Sequence, residues 1–480
     1  MYFVAVAALL GATSCQKKGC TDPSASNYNS SAKKDDGSCN YSGNNYVELT
    51  GSLETRTLTK DKKYLIKGQV FVGEGKVLTI EPGTVIFGDK GTKGTLIIDR
   101  GGKIEANGTA QNPIVFTSVL PAGARDKGDW GGLVILGKAK QNQPNPAIEG
   151  ITPAAYFGGE DDADNSGTLK YVRVEFAGIE LTPNNETNSI TLGGVGSGTT
   201  MEYCQVSYGG DDGFEWFGGN VDGKYLISFG TWDDCFDVDY GYSGRVQFGL
   251  SVRYPSFADQ SGSNAFECDN GPNDNVTSLL TTGVFSNFTC VGPILTSTQN
   301  PTTEAWSYQS INANYQHALD LRRRTAVTIA NSVFVGYPRG LRMNQKSVYD
   351  NYNDANPKGY LLNNVMSAPR TTYAAGEEGF VTADVKTLWE ANNSISTSGN
   401  LSAFYQELGL NSDIFYGNNV TSSYSVNPTF AVTSGTLTTG ASFTNNKLST
   451  WFTSTAFRGA FGATDWTEGW AEFRPISKEY

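Results

Sequence analysis

YGGDDGFEWFGG, residues 208–219, is followed ten residues later by GTWDDCFDVDYG, residues 230–241. Asp211 and Asp212 return as Asp233 and Asp234, Phe214 as Phe236 and Glu215 as Asp237, a period of 22 residues. A looser third copy, AFECDNG at 265–271, sets Phe266, Glu267 and Asp269 in the same order. A short period of this kind marks stacked units in which each coil touches only its neighbours. In FEW, FDV, FEC, LDL and LRM the flanking apolar residues face one side of a strand and the middle residue the other. Phe214/Trp216, Phe236/Val238, Phe266/Cys268, Leu319/Leu321 and Leu341/Met343 are therefore expected inside the stack. The outward column then reads Glu215, Asp237, Glu267, Asp320, Arg342. A second column, two residues on, reads Phe217, Asp239, Asp269, Arg322, Asn344.

The same architecture extends on both sides. LTIEPGTVIFGDKG from Leu78 is echoed from Leu96 by LIIDRGGKIEANG, 18 residues later, and PIVFTS and GGLVILGKA continue the series. Each unit is a short apolar strand, a glycine-containing turn and another short strand. No connection is long enough, or has the 3.6-residue period, to be a helical crossover. These spacings predict an all-β chain, a parallel β-helix from about residue 45 to 375. LTIEPGTVI, ANGTAQNPIVFTS and GDWGGLVILG together resemble right-handed β-helix proteins of the pectate-lyase-like superfamily. The stretch from Lys140 to Asp164 interrupts the strands as a long excursion ending in Glu160, Asp161, Asp162 and Asp164, where such folds tend to place binding groups. Asn287, Asn331 and Asn364 occupy similar turn positions and are read as a structural ladder.

With 480 residues and 38% hydrophobic content the chain can bury one large core. A net charge of −12 argues against nucleic acid, which demands a basic footprint, and is compatible with cations or a neutral polysaccharide. The single histidine, His317, excludes a His-rich metal site and is read as structural.

Residues 1–14, MYFVAVAALLGATS, form an apolar run too short to span a bilayer and read as a signal peptide. Ala12-Thr13-Ser14-Cys15 resembles a bacterial lipobox, which implies lipidation of Cys15 and anchoring by acyl chains in the outer membrane. Gln16, Lys17 and Lys18 resemble the signal that sends lipoproteins of Bacteroidota to the cell surface. Residues 15–44 are expected to be a tether in which a Cys20–Cys39 disulfide staples a polar segment unable to build a core. Asp22, Asn27, Asp35 and Asp36 in this segment are candidate Ca²⁺ ligands without EF-hand spacing. Cys235 and Cys268 are displaced along the strands of neighbouring coils beyond disulfide reach, so they are expected to be buried free thiols. Cys204 and Cys290 also lie in strand-like runs.

Residues 376–480 change class. TADVKTLWEANN and LSAFYQELG have helical spacing, Thr382 is a candidate N-cap, and the segment is expected to cap the open end of the stack. Its ending, FRGAFGATDWTEGWAEFRPISKEY, resembles that of Bacteroidota β-helix lipoproteins, with Trp466 and Trp470 expected on the last coil.

Coils stack about 4.8 Å apart, so successive carboxylates repel unless a cation neutralises them. Glu215, Asp237, Asp239, Glu267, Asp269 and Asp320 are accordingly the candidate Ca²⁺ ligands. Pectate-lyase-like enzymes hold Ca²⁺ against a uronate and use Arg or Lys as base. That resemblance offers Arg322 or Arg342 as base, although no catalytic signature matches residue by residue. A glycosidase would need paired carboxylates, which Asp211, Asp212, Asp233 and Asp234 could supply; the same Asp pairs also suit turns. The favoured expectation is a surface-anchored, non-catalytic lipoprotein whose acidic face binds Ca²⁺ and a glycan or partner protein. A Ca²⁺-dependent polysaccharide lyase or glycosidase, and a structural component of a surface layer or filament, remain as alternatives.

Overall fold

The computed structural model describes residues 17–21, 25–34, 36, 38–39, 46–182, 185–396, 398–416, 424–448 and 450–480. The expected signal peptide and Cys15, and Asp22 and Asp35 of the tether, lie outside these residues. Residues 1–46 form a unit of their own. In it Cys20 and Cys39 are joined by the expected disulfide, and both are buried. The Asn29 amide donates to the Cys20 carbonyl (2.9 Å) and the Lys33 amide to Lys17 (2.8 Å), closing the stapled loop.

Residues 47–480 form the second unit, a right-handed parallel β-helix. One sheet carries the repeat. Its eleven strands are β1 (Ser52–Leu53), β2 (Gln69–Val72), β3 (Thr95–Ile98), β4 (Gly132–Leu136), β5 (Ile190–Gly193), β6 (Phe214–Phe217), β7 (Phe236–Asp239), β8 (Phe266–Cys268), β9 (His317–Leu321), β10 (Arg339–Met343) and β11 (Thr371–Ala375). They pair in chain order, all parallel, so each coil adds one strand. The larger, 17-stranded sheet bends around the rest of the stack.

Alternation decides what fills the core. Phe214 stacks on Phe236 and Phe236 on Phe266, with centroids 5.9 and 5.0 Å apart, and Leu319, Leu321, Leu341 and Met343 continue the same buried cluster. Val238 pairs in register with Cys268, so Cys235 and Cys268 do not face each other, and all four later cysteines are buried free thiols.

The long strands of the larger sheet turn a corner at residues with positive φ: Tyr171, Tyr203, Tyr225 and Phe248. A left-handed conformation costs a non-glycine residue roughly 1–2 kcal/mol. Here the corner side chains stack on one another, at 4.4, 4.3 and 5.1 Å between centroids, which offsets that cost. Further along the stack the corner residues are Asn287, Asn331 and Asn363, one position before the Asn364 that the sequence suggests. Asn287 and Asn331 do not simply ladder with each other. Their amides donate to the Phe457 and Ser442 carbonyls of the C-terminal segment, each at 3.1 Å.

The C-terminal region departs most from expectation. The helix α1 (Lys346–Asn353) packs Val348 and Tyr352 into the coil core. The second, α2 (Thr382–Glu390), lies on β11, buries Val385 and Trp389 and so covers the end as expected. Its N-cap is Val381 rather than Thr382, and the Asp384 carboxylate accepts the Val381 amide proton (2.8 Å). After α3 (Leu401–Leu408) the described chain leaves the end of the stack. It runs back along the aromatic corners: Gln247 exchanges hydrogen bonds with Thr453, Gln205 with Glu472, Arg173 donates to Trp470, and the Gly123 amide donates to Ile476. Trp470 meets Tyr171 and Tyr203 edge-on, and Trp466 meets Tyr225. The tryptophans therefore lie on early and middle coils, not the last, where the corner ladder offers them an aromatic surface.

Candidate functional site

The sheet register places Glu215, Asp237, Glu267, Asp320 and Arg342 side by side on β6–β10, as the repeat predicts. This column points away from the core, yet it is not an open surface. Asp320 is 1% exposed and Glu215 8%. At Glu215, residues 147–149 and 186–188 from excursions of other coils stand over the column.

Two electrostatic regimes divide the column. On β8–β10 the carboxylates have arginine partners. The Arg342 guanidinium lies against Asp320 in two hydrogen bonds, one of 2.7 Å. Arg322 makes two bonds to Asp269 (2.9 and 2.6 Å) and also reaches Glu267, and Arg323 adds a third to Asp269 (2.6 Å). These ion pairs hold Arg322 protonated more firmly than usual. Arg322 is therefore not disposed to act as the base that a lyase would need, and the Arg342 guanidinium is occupied by Asp320.

On β6 and β7 and the turns before them, no arginine or lysine among the described residues forms an ion pair with the acids. The cation nearest Asp233 and Asp234, the buried Arg253, donates to the Asp233 backbone carbonyl. Asp211, Asp212 and Asp233 form one group of carboxylates, Asp212, Glu215 and Asp237 a second, and Asp234, Asp237 and Glu267 a third. Within each group one oxygen per residue lies within 4.8 Å of the others. Burial, followed by the neighbouring carboxylates, pushes Asp211, Asp212, Glu215, Asp234, Asp237 and Glu267 well above the usual carboxylate range. Asp233, which accepts the Ser261 hydroxyl proton, is pushed up to about 6. One oxygen each of Asp233 and Asp237 is buried with no hydrogen-bond donor.

The turn role expected of the Asp pairs is also present, and it falls to one residue of each pair. Asp212 accepts the Asp234 amide proton (2.8 Å), Asp234 accepts that of Asn264, and Asn264 accepts that of His317 (2.8 Å). Each side chain thus caps the backbone of the next coil. His317 ends this ladder as a buried imidazole whose pKa is lowered to about 3 by burial and by Arg342 and Arg339, so it is neutral. Asp239 stands apart from the three groups. It accepts amide protons from Tyr240 and Gly271, and burial, with Asp269 nearby, pushes it up to about 7.

Against this acidic floor lies a cavity of about 260 Å³. Asp211, Asp212, Glu215 and Asn188 line it together with Phe157, Phe217 and Tyr240, and the exposed Glu149 and Glu186 stand among its lining. The three rings form a continuous wall, with Phe217 and Tyr240 at 5.0 Å and Phe157 and Phe217 at 6.0 Å. The acids of the 140–164 excursion serve a different place. Glu160 and Asp161 line a shallower groove with Glu74, Asp99, Arg100 and Lys138, while Asp162 pairs with Lys140 (2.6 Å).

Asn188 was missed by sequence reasoning. It precedes Ser189, whose amide donates to the Asp212 carbonyl, so it is the Asp212 position of the preceding coil. Aligning ITLGG with FEWFG would have exposed it. Glu149, Phe157 and Glu186 arrive from excursions outside the repeat and had no such signal.

The chain matches the pectate-lyase like beta helix domain over residues 25–406. It belongs to that family. No curated protein and no solved structure matches the chain. The family accounts for the coil stack.

Proposed function

We propose that this β-helix protein is a non-catalytic binding protein whose carboxyl groups on β6–β8 hold Ca²⁺, through which it engages a glycan or a partner protein. One observation carries the reading: the six acids Asp211, Asp212, Glu215, Asp233, Asp234 and Asp237 are gathered with no ion pair to any of them among the described residues, and buried oxygens of Asp233 and Asp237 lack donors. Arg253 and Arg322 are the nearest cations. Like charges this close in a poorly solvated place are unfavourable unless protons or cations neutralise them. The donor set is all oxygen and multiply anionic, which suits Ca²⁺, whose six to eight ligands tolerate irregular geometry, better than Zn²⁺. Of the candidates, Glu215, Asp237 and Glu267 belong to these groups. Asp239, Asp269 and Asp320 are engaged by amides or arginines and would act only as surroundings.

The lyase alternative lacks support at the base, since Arg322 and Arg342 are held by carboxylates. In the proposed setting Cys15 carries a lipid that anchors the chain at the outer-membrane surface, as in lipoproteins of Bacteroidota. The test is calorimetric titration of the EDTA-treated chain with Ca²⁺, alongside Asp237→Asn and Asp212→Asn. Saturable binding that weakens in both variants supports the site, and no heat with wild type sinks it. Incubation with acidic and neutral polysaccharides, followed for unsaturated or reducing ends, should release neither.

A further inference from the structure

We infer that the 260 Å³ cavity beside the acidic groups is a site for a primary alkylammonium, carried by a free amine or by a lysine side chain. Its lining is one-sided in charge. Glu149, Glu186, Asp211, Asp212 and Glu215 contribute five carboxyl groups, and no lysine, arginine or histidine lines it. Beside them lie the rings of Phe157, Phe217 and Tyr240, Phe217 two residues after Glu215 on the same face of β6. An inorganic cation has no use for such rings, because Ca²⁺ and Mg²⁺ are satisfied by oxygens alone. An ammonium on a carbon chain uses both kinds of group. The aromatic faces attract the cation and cover its methylenes, while the carboxylates accept its three N–H bonds.

The floor offers a second, separate sign of a missing donor. Asn188, 6% exposed, lines the cavity; its amide nitrogen donates to Glu215, and its Oδ1 is buried without any hydrogen-bond partner. A buried carbonyl oxygen in that state is costly to leave unpaired, and an ammonium beside Glu215 would supply the donor. The volume exceeds what one metal ion fills and suits an aminobutyl or aminopentyl chain. The exposed Glu186 and Glu149 are placed to attract the cation before it reaches the buried Glu215.

The inference shares carboxyls with the Ca²⁺ site but does not rest on it. The test uses the full chain in EDTA at pH 8, titrated calorimetrically with 1,5-diaminopentane, with Nα-acetyl-lysine N-methylamide, and with 1,5-pentanediol as the uncharged isostere. Either amine is expected to bind with a Kd of about 1 mM or tighter, and the diol not at all. Binding by only the diamine assigns the site to free amines; binding by the lysine derivative assigns it to protein side chains as well. Phe217→Leu should weaken the amine about fivefold by removing the aromatic face, and Glu186→Gln about twofold. Glu215→Gln should weaken it about tenfold. Ca²⁺ titration of Phe217→Leu should match wild type, so failure of one site is distinguishable from failure of the other. The inference is overturned if neither amine binds at about 10 mM, if the diol binds as well as the amines, or if Phe217→Leu and Glu215→Gln both leave amine affinity unchanged.

Discussion

Asp237→Asn should change sign with calcium. In EDTA the variant is expected to be more stable than wild type, and in saturating Ca²⁺ less stable. Asp237 belongs to two of the carboxylate groups, with partner oxygens within 4.8 Å, and burial followed by Glu267, Asp269 and Asp239 raises its pKa. At an effective dielectric of about 20, one pair of unit charges at that separation repels by about 3 kcal/mol. Part of this is relieved when a group takes up a proton, so removing one charge should gain about 2 kcal/mol at pH 8. A group whose folded pKa is raised stabilises the fold at pH values below its unfolded pKa and loses that contribution as pH rises. The advantage of the variant in EDTA must therefore shrink toward pH 5. In Ca²⁺ at a hundred times Kd, wild type gains about 3 kcal/mol and the variant, with a ligand lost, much less. Urea unfolding midpoints in EDTA and in Ca²⁺, at pH 5 and 8, give all four values. A variant destabilised in EDTA at pH 8, or equal Ca²⁺ shifts in both proteins, would refute the reasoning.

Three further outcomes follow from neighbouring residues. Asp239, pushed up to about 7, holds its proton in the folded chain while the unfolded chain loses it, so stability falls as pH rises. Asp239→Asn should remove roughly 2 kcal/mol of that loss between pH 5 and 7, seen as a flatter series of urea midpoints. Arg322→Met leaves Glu267 without its guanidinium and should cost about 3 kcal/mol at pH 8, with part of the loss recovered by Ca²⁺ or at pH 5, again by urea unfolding. Trp470→Ala removes a buried ring that lies edge-on to Tyr171 and Tyr203, and should cost about 3–5 kcal/mol while releasing the C-terminal segment to limited proteolysis.

The coil register was legible because it is written in the side chains themselves. Phe214, Phe236 and Phe266 repeat with the acids between them, and alternation needs no knowledge of the rest of the chain. The pairing of Glu215 with Asp237, Glu267 and Asp320 follows from that alone. The burial of the same column did not. Alternation says which way Glu215 points relative to its own coil, whereas its cover comes from residues 147–149 and 186–188, whose sequence carries no period. The C-terminal region illustrates the same limit. Helical spacing identified α2 and α3, but Trp466 and Trp470 lie on Tyr171, Tyr203 and Tyr225, nearly 300 residues away in the chain for the farthest pair. A long-range contact between two aromatic sets leaves no local mark in either.

The two halves of the column show what a purely structural acid looks like in this fold. At Asp320 and Asp269 the stack places Arg342, Arg322 and Arg323 one coil or one turn away, and each carboxylate is satisfied. Nothing in the geometry of β6 and β7 forbids the same solution, since their strands pair in the same parallel register. Instead Thr191 precedes Glu215 in the column and Asp237 follows it, so acid is stacked on acid with no base on either side. Turn capping explains Asp212 and Asp234, whose oxygens accept the amides of the next coil, and a neutral asparagine does that work at Asn264. Capping therefore does not require their charge, and it does not involve Glu215 or Asp237 at all. The uncompensated charge is concentrated where the sheet meets a cavity, between β5 and β8, and a cation arriving from outside is the simplest group that makes it favourable.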